Sequence, residues 1–339
     1  MGMPKLSIDV VKSKAKEASR LWLLGFREAC CLHRVVILCL RSRKLSIRTG
    51  QCFLLNGFIF LGSMFILRLM VIPILQRILP ENCLQIYSQD SCSLDIVFEL
   101  YSLLRAGLIQ LFYVLWFYPL YIFSFILSNI WYNDIAKYGF AAMRESGSVA
   151  VESSSKKESV TLQSSVQTEK PPGLDGVMIG IGEQVYSLLL LSFFFIEVYA
   201  IGFMPLIGKA LNFLLLSWMY AYYCFEYKWN FSEVNLENRL DFFQTSWAFF
   251  AGFGNPCVLA IFFFSPLESY AVIAMLYPLF VLTATSSRTE EVLYSERQKL
   301  RSAGLGKIPI FYMADALAMW ILSFFSLDSR GRVHDAKTE

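Results

Sequence analysis

Residues 52–75 read CFLLNGFIFLGSMFILRLMVIPIL, and this run decides the architecture. As a helix rising 1.5 Å per residue it extends about 36 Å, enough to cross about 30 Å of hydrocarbon with some tilt. Its flanks give it a direction. Arg34, Arg41, Arg43, Lys44 and Arg48 precede it with no acidic residue among them, whereas residues 76–95 set Arg77 against Glu81, Asp90 and Asp95. Basic flanks stay on the cytosolic side, so the N-terminus is expected in the cytosol and the 76–95 loop in the lumen.

The rest of the composition agrees. Hydrophobic residues make up 56% of the chain and charged residues 17%, with 30 phenylalanines and a mean hydropathy of +0.49. A soluble domain of that balance would expose large apolar patches. The net charge of +3 is too small to bind nucleic acid, and the basic residues cluster beside apolar runs. Residues 1–20 are polar, and the apolar stretch after them is interrupted by Arg27, Glu28, His33 and Arg34, so no cleavable signal is expected.

Beyond the first span, residues 96–131 form a second apolar run, about 54 Å as one helix, which must tilt, kink at Pro119 or continue into the cytosol. The two long transmembrane helices and their lumenal loop make up residues 52–144, after a cytosolic basic amphipathic segment at residues 1–51. Residues 145–182, with a serine tract and the Pro171-Pro172-Gly173 break, are expected to be a disordered cytosolic linker. Residues 183–285 hold two helical hairpins turning at Met204-Pro205 and at Ser265-Pro266, joined by an amphipathic connector over residues 226–246. Residues 286–339 begin charged and carry an apolar interfacial helix at 308–327 that includes Asp315. The expected fold is therefore an all-α polytopic membrane protein with two long transmembrane helices, two helical hairpins and amphipathic interfacial helices, both termini cytosolic.

Arg20, Arg27, Arg34, Arg41 and Arg48 recur every seventh residue. On one helix they would form a basic stripe facing anionic headgroups of the cytosolic leaflet, with the intervening apolar residues entering the lipid. Arg68, Glu99, Arg105 and Glu197 lie inside apolar runs, where charges face the bundle or water. Arg68 with Glu99, and Arg105 with Glu197, have similar expected depths and could pair. Cys83 and Cys92 share the 76–95 loop, either as a disulfide or as two free thiols. Asn230-Phe231-Ser232 is a glycosylation sequon on the cytosolic side of this topology and is expected to stay unused. His33 and His334 are the only histidines, and GxSxG, P-loop, HExxH and dinucleotide-binding motifs are absent. No enzymatic activity, metal or cofactor is expected.

Several strings resemble a known family. Ile72-Pro73-Ile74-Leu75-Gln76 ends the first span and Ile130-Trp131-Tyr132-Asn133-Asp134-Ile135-Ala136 the second. Tyr223-Cys224-Phe225-Glu226-Tyr227-Lys228-Trp229 closes the first hairpin, Phe253-Gly254-Asn255-Pro256 opens the second, and Tyr277-Pro278-Leu279-Phe280 lies in its return arm. Together, over roughly residues 20–325, they resemble the etoposide-induced protein 2.4 family. The resemblance implies a multi-pass protein of the endoplasmic reticulum linked to autophagy and to growth suppression or apoptosis, acting through protein partners. A homo-oligomer is compatible with it. A more distant bacterial branch, the CysZ sulfate permease, implies the alternative of a sulfate-like anion channel or transporter. Gly25-Phe26-Arg27 matches that branch's Gly-Leu-Arg anion motif at two of three positions. Animal members carry a long basic insert associated with importin binding, where this chain has Arg41-Ser42-Arg43-Lys44.

Overall fold

A computed structural model of the chain describes residues 3–78, 95–154, 174–300 and 305–335. Every regular element among them is helical: α1 (Met3–Ala29), α2 (Leu32–Arg41), α3 (Arg43–Phe53), α4 (Gly62–Ile66), α5 (Ile72–Ile78), α6 (Asp95–Ser154), α7 (Leu174–Ile201), α8 (Gly208–Phe231), α9 (Leu236–Thr245), α10 (Trp247–Phe262), α11 (Pro266–Ser286), α12 (Thr289–Leu300) and α13 (Tyr312–Asp335). Two π-helical stretches, Leu54–Leu61 and Leu67–Val71, join α3, α4 and α5 into one rod. Among the described residues three helical runs are long and apolar enough to cross a membrane, Arg43–Arg77, Ser102–Glu145 and Pro266–Ser286. A fourth arises if α9 and α10, bent by 89°, count as one span. This is an all-α polytopic membrane protein. Both hairpins turn where the prolines dictate, between Ile201 and Gly208 and between Phe262 and Pro266.

The contacts divide the chain into two compact units. The first comprises Met1–Val36, Phe140–Leu259 and Phe280–Glu339, and the second Ile37–Gly139 and Ala260–Leu279.

In the first unit the N-terminal helix is a core element. Leu21, Gly25 and Ala29 lie on one face of α1 at intervals of four and are buried. A Cβ added at Gly25 would fall 1.9 Å from the Phe249 carbonyl oxygen, and one at Gly252 would fall 1.9 Å from that of Trp22. Only glycines let α1 and α10 approach this closely. Gly254 plays the same part toward α8, 1.7 Å from the Ser217 carbonyl oxygen by the same measure. Around these crossings Tyr222, Phe225, Phe243, Phe249, Phe250 and Phe253 are almost wholly buried and meet mostly edge to face, as Phe225 does with Phe253 at 4.9 Å. The α9–α10 bend frees carbonyls, and Arg297 Nη2 donates to Thr245 O at 3.3 Å and Ser246 Oγ at 3.1 Å. α13 lays Ala314 and Ala318 in the core, and Phe311 just before it meets Phe194 at 4.9 Å.

In the second unit the rod, α6 and the start of α11 enclose Phe60, Met64, Leu67, Phe117 and Ala271. Tyr270 meets Phe60 at 5.5 Å and Tyr121 at 4.5 Å.

Two expectations from the sequence change here. The basic segment is three helices, not one, because it breaks at Cys31 and at Ser42. Ser42 is extended (φ −117°) and its hydroxyl accepts the Leu45 amide at 3.4 Å, an N-cap for α3. The apolar residues between the arginines partly fill the first unit's core rather than all entering lipid. The 145–182 linker is helical at both described ends, since α6 reaches Ser154 and α7 begins at Leu174, immediately after Pro171-Pro172-Gly173. Ala141, Ala142, Met143, Arg144 and Glu145 are helix formers that give α6 no reason to stop. Residues 155–173 and most of the 76–95 loop, including Cys83 and Cys92, lie outside the described residues.

Candidate functional sites: a charged cleft and a polar seam

The end of α8 carries the Cys224–Trp229 string, and the first unit uses nearly every residue of it. Cys224 and Cys257 are both fully buried. Trp229 meets Tyr222 at 5.6 Å. Burial pushes the Glu226 carboxyl above the usual carboxylate range, and Arg239 opposes the shift. Arg239 is itself buried, its Nε donating to Val234 O at 2.6 Å and its Nη1 to the Asn230 side-chain oxygen. Lys228 Nζ donates to Ser287 O at 2.6 Å. Burial lowers its ammonium below the ordinary lysine value, while Glu290, Glu28 and Glu291 pull the other way.

Lys228 lines a cavity of about 750 Å³ with Arg144, Arg288, Glu290, Glu291 and the Ser287 and Thr289 residues. Those two hydroxyls are 2.6 Å apart and engage each other rather than a general base. The cleft thus offers cationic donors and carboxylate acceptors side by side, an arrangement suited to holding a dipolar or charged group. Among the described residues no group of three or more His, Cys, Asp or Glu side chains is placed to hold a metal ion.

The second unit contains a polar seam inside its apolar bundle. Asn56, fully buried, donates through Nδ2 to Cys52 O at 3.1 Å and Ser128 Oγ at 2.9 Å, and its Oδ1 accepts from Ser124. Tyr132 OH donates to Ala274 O at 2.9 Å, and Ser124 lies 3.3 Å from Tyr270 OH. Every polar atom of Asn56 is engaged, as expected of groups that tie helices together in lipid. At one end of the seam Arg48 pairs with Asp134 at 3.1 Å. At the other, Arg68 pairs with Glu268. Glu268 also closes a capping box at the start of α11, accepting Ser265 N at 3.2 Å and Ser265 Oγ at 2.9 Å.

The residues singled out by the sequence are dispersed across these features. Arg20, Arg27 and Arg41 are exposed, whereas Arg34 pairs with Glu28 at 2.6 Å and Arg48 with Asp134. Of Gly25-Phe26-Arg27, Gly25 packs α1 against α10, Phe26 stacks on Trp22 at 5.5 Å and Arg27 is exposed. Arg68 finds Glu268, and the Glu99 side chain lies outside the described residues. Arg105 belongs to the second unit and Glu197 to the first. The seam and Glu268 were missed by the sequence reading. Their signals were local: Cys52 with Asn56 and Ser124 with Ser128, small polar pairs four apart in apolar runs, and Ser265-Pro266-Leu267-Glu268, a capping box.

No solved structure matches this chain. Among curated relatives, Protein EI24 homolog of Arabidopsis thaliana is 62% identical over 319 residues, 94% of this chain and 99% of the relative. Protein EI24 homolog of Dictyostelium discoideum is 27% identical over 319 residues, covering 94% and 89% of the two chains. Ectopic P granules protein 4 of Caenorhabditis elegans is 26% identical over 169 residues, 49% of this chain and 46% of the relative. The profile of the family described as Sulfate transporter CysZ/Etoposide-induced protein 2.4 matches residues 31–278, and with these relatives it shows that the chain belongs to that family.

Proposed function

We propose that this protein is a non-enzymatic, multi-pass factor of the endoplasmic reticulum membrane. It supports autophagy and membrane quality control, with consequences for cell death or growth. It works by presenting its first unit to protein partners in the cytosol, where both termini lie. The exposed Arg20, Arg27 and Arg41 meet anionic headgroups of that leaflet. The observation that carries this choice over an anion channel is the saturated seam. Within the seam Asn56 spends its hydrogen bonds on Cys52 O, Ser124 and Ser128, while α9, α12 and Arg288 just before α12 expose Glu237, Asp241, Arg288, Glu290 and Glu291. The family membership supports the reticulum and autophagy assignments.

The test has two halves. Cells lacking the protein should show reduced autophagic flux, restored by the full chain, and the tagged protein should fractionate with the reticulum. Purified protein in liposomes should leave sulfate uptake at the level of empty vesicles. Normal flux in the deleted cells, together with sulfate uptake in the liposomes, would put the transporter reading first.

A further inference from the structure

We propose that the cleft above Lys228 binds a phosphoethanolamine-type headgroup, a phosphate joined to a primary ammonium. This does not depend on the autophagy assignment. Three observations converge on it.

The first is position. Two of the three membrane-length runs end at the cleft. Ser102–Glu145 ends beside Met143 and Arg144, and Pro266–Ser286 ends at Ser286, all three of which line the cavity. Pro266–Ser286, about 31 Å long as a helix, matches the hydrocarbon thickness, so its end at Ser286 sets the cleft beside one membrane surface. The second is size. At about 750 Å³ it falls within the roughly 300–1,000 Å³ typical of small-molecule sites.

The third is charge. Arg144, Lys228 and Arg288 face the same space as Glu290 and Glu291. A polyanion would meet both glutamates and a simple cation would meet three bases, whereas a zwitterion satisfies both signs. Lys228 spends one of its three N–H donors on Ser287 O. Arg144 is exposed and makes no ion pair among the described residues. The Arg288–Glu291 contact is long, 3.8 Å, with side chains 78% and 73% exposed, and yields easily to a ligand. In the resulting geometry the phosphate takes Lys228 and Arg144, and the ammonium donates to Glu290 and Glu291. A quaternary ammonium has no N–H to donate, so a choline headgroup is disfavoured.

The experiment uses the purified full chain. In one arm, native mass spectrometry in detergent compares retention of phosphatidylethanolamine, phosphatidylcholine and phosphatidylglycerol. In the other, calorimetry titrates soluble glycerophosphoethanolamine. Phosphatidylethanolamine should be preferred about tenfold over both other lipids, the worth of one charge-assisted hydrogen bond. Arg144→Gln should lower that binding several-fold; because Arg144 is exposed, its loss does not threaten the fold. Glu290→Gln with Glu291→Gln should abolish discrimination against phosphatidylglycerol. Binding in the calorimeter as well assigns the soluble headgroup as sufficient, and binding of the lipid alone assigns the acylated lipid as the source. Equal retention of the three lipids, or preferences unchanged in both variants, overturns the proposal.

Discussion

Gly252→Ala tests whether α1 is a core element. The added Cβ would sit 1.9 Å from Trp22 O and 2.7 Å from Trp22 C, both backbone atoms that cannot rotate away. Ordinary contact begins near 3.4 Å, so α1 and α10 must part by about 1.5 Å. Gaps of 0.5–1 Å already forfeit a quarter to a half of a contact's dispersion energy, and overpacking adds about 1–3 kcal/mol. At roughly 2 °C per kcal/mol, the apparent melting temperature in detergent should fall by about 2–6 °C. Gly25→Ala, 1.9 Å from Phe249 O, should cost a similar amount. The double variant should cost less than the sum, because the first substitution has already moved α1 away. Gly50→Ala and Gly107→Ala provide the opposite sign. Nothing lies within 4 Å of either added Cβ, and replacing a helical glycine by alanine should stabilise by about 0.5–1 kcal/mol. If Gly252→Ala and Gly25→Ala melt no lower than Gly50→Ala, α1 is not packed on α10 and lies elsewhere, for instance on lipid.

Three further outcomes follow from the geometry. Asn56→Leu removes the hydrogen bonds to Cys52, Ser124 and Ser128 and should cost about 0.6–2 kcal/mol; altered anion flux with unchanged melting would make the seam a conduit instead of a fastening. Glu226 has a folded-state pKa raised by burial, so its contribution is fully present below the unfolded carboxylate value and is lost as pH rises through the raised value. Glu226→Gln should accordingly gain stability over the native chain near neutral pH, with the gap closing on acidification; a constant gap would show that Glu226 is not the group responsible. Asn230, whose side-chain oxygen takes Arg239 in the last turn of α8, should carry no glycan: endoglycosidase should leave electrophoretic mobility unchanged, and a shift that vanishes in Asn230→Gln would reverse the topology.

Chain turns were legible where backbone chemistry is local. Met204-Pro205 and Ser265-Pro266 interrupt apolar runs, and proline ends or starts a helix whatever surrounds it. The heptad arginines show where that logic stops. Their spacing is real, but a single stripe needs an unbroken helix, and Ser42 leaves the helical conformation to cap α3. An N-cap serine is readable in principle, yet serine also sits inside helices, so the local signal does not choose. Gly25 was harder still. A glycine beside an arginine reads as a cradle for an anion, and the carbonyl that fills its empty side belongs to Phe249, more than two hundred residues away.

Arg68 and Glu268 are 200 residues apart, and here the physics of the bilayer narrows the search. A charge in an apolar run needs a partner or water, so Arg68 announced that an acid would be found, and Glu99 and Glu268 were both available. Glu268 was already fixed by the Ser265 cap, with one carboxylate oxygen committed and the other directed at the rod. A carboxylate held by its own helix end has lost its rotamer freedom before the arginine arrives, and binding it costs less entropy than fixing a mobile side chain. Local capping thus prepared the long-range pair. In a membrane bundle, the polar residues pinned by local structure are the ones to pair first when contacts are inferred from sequence.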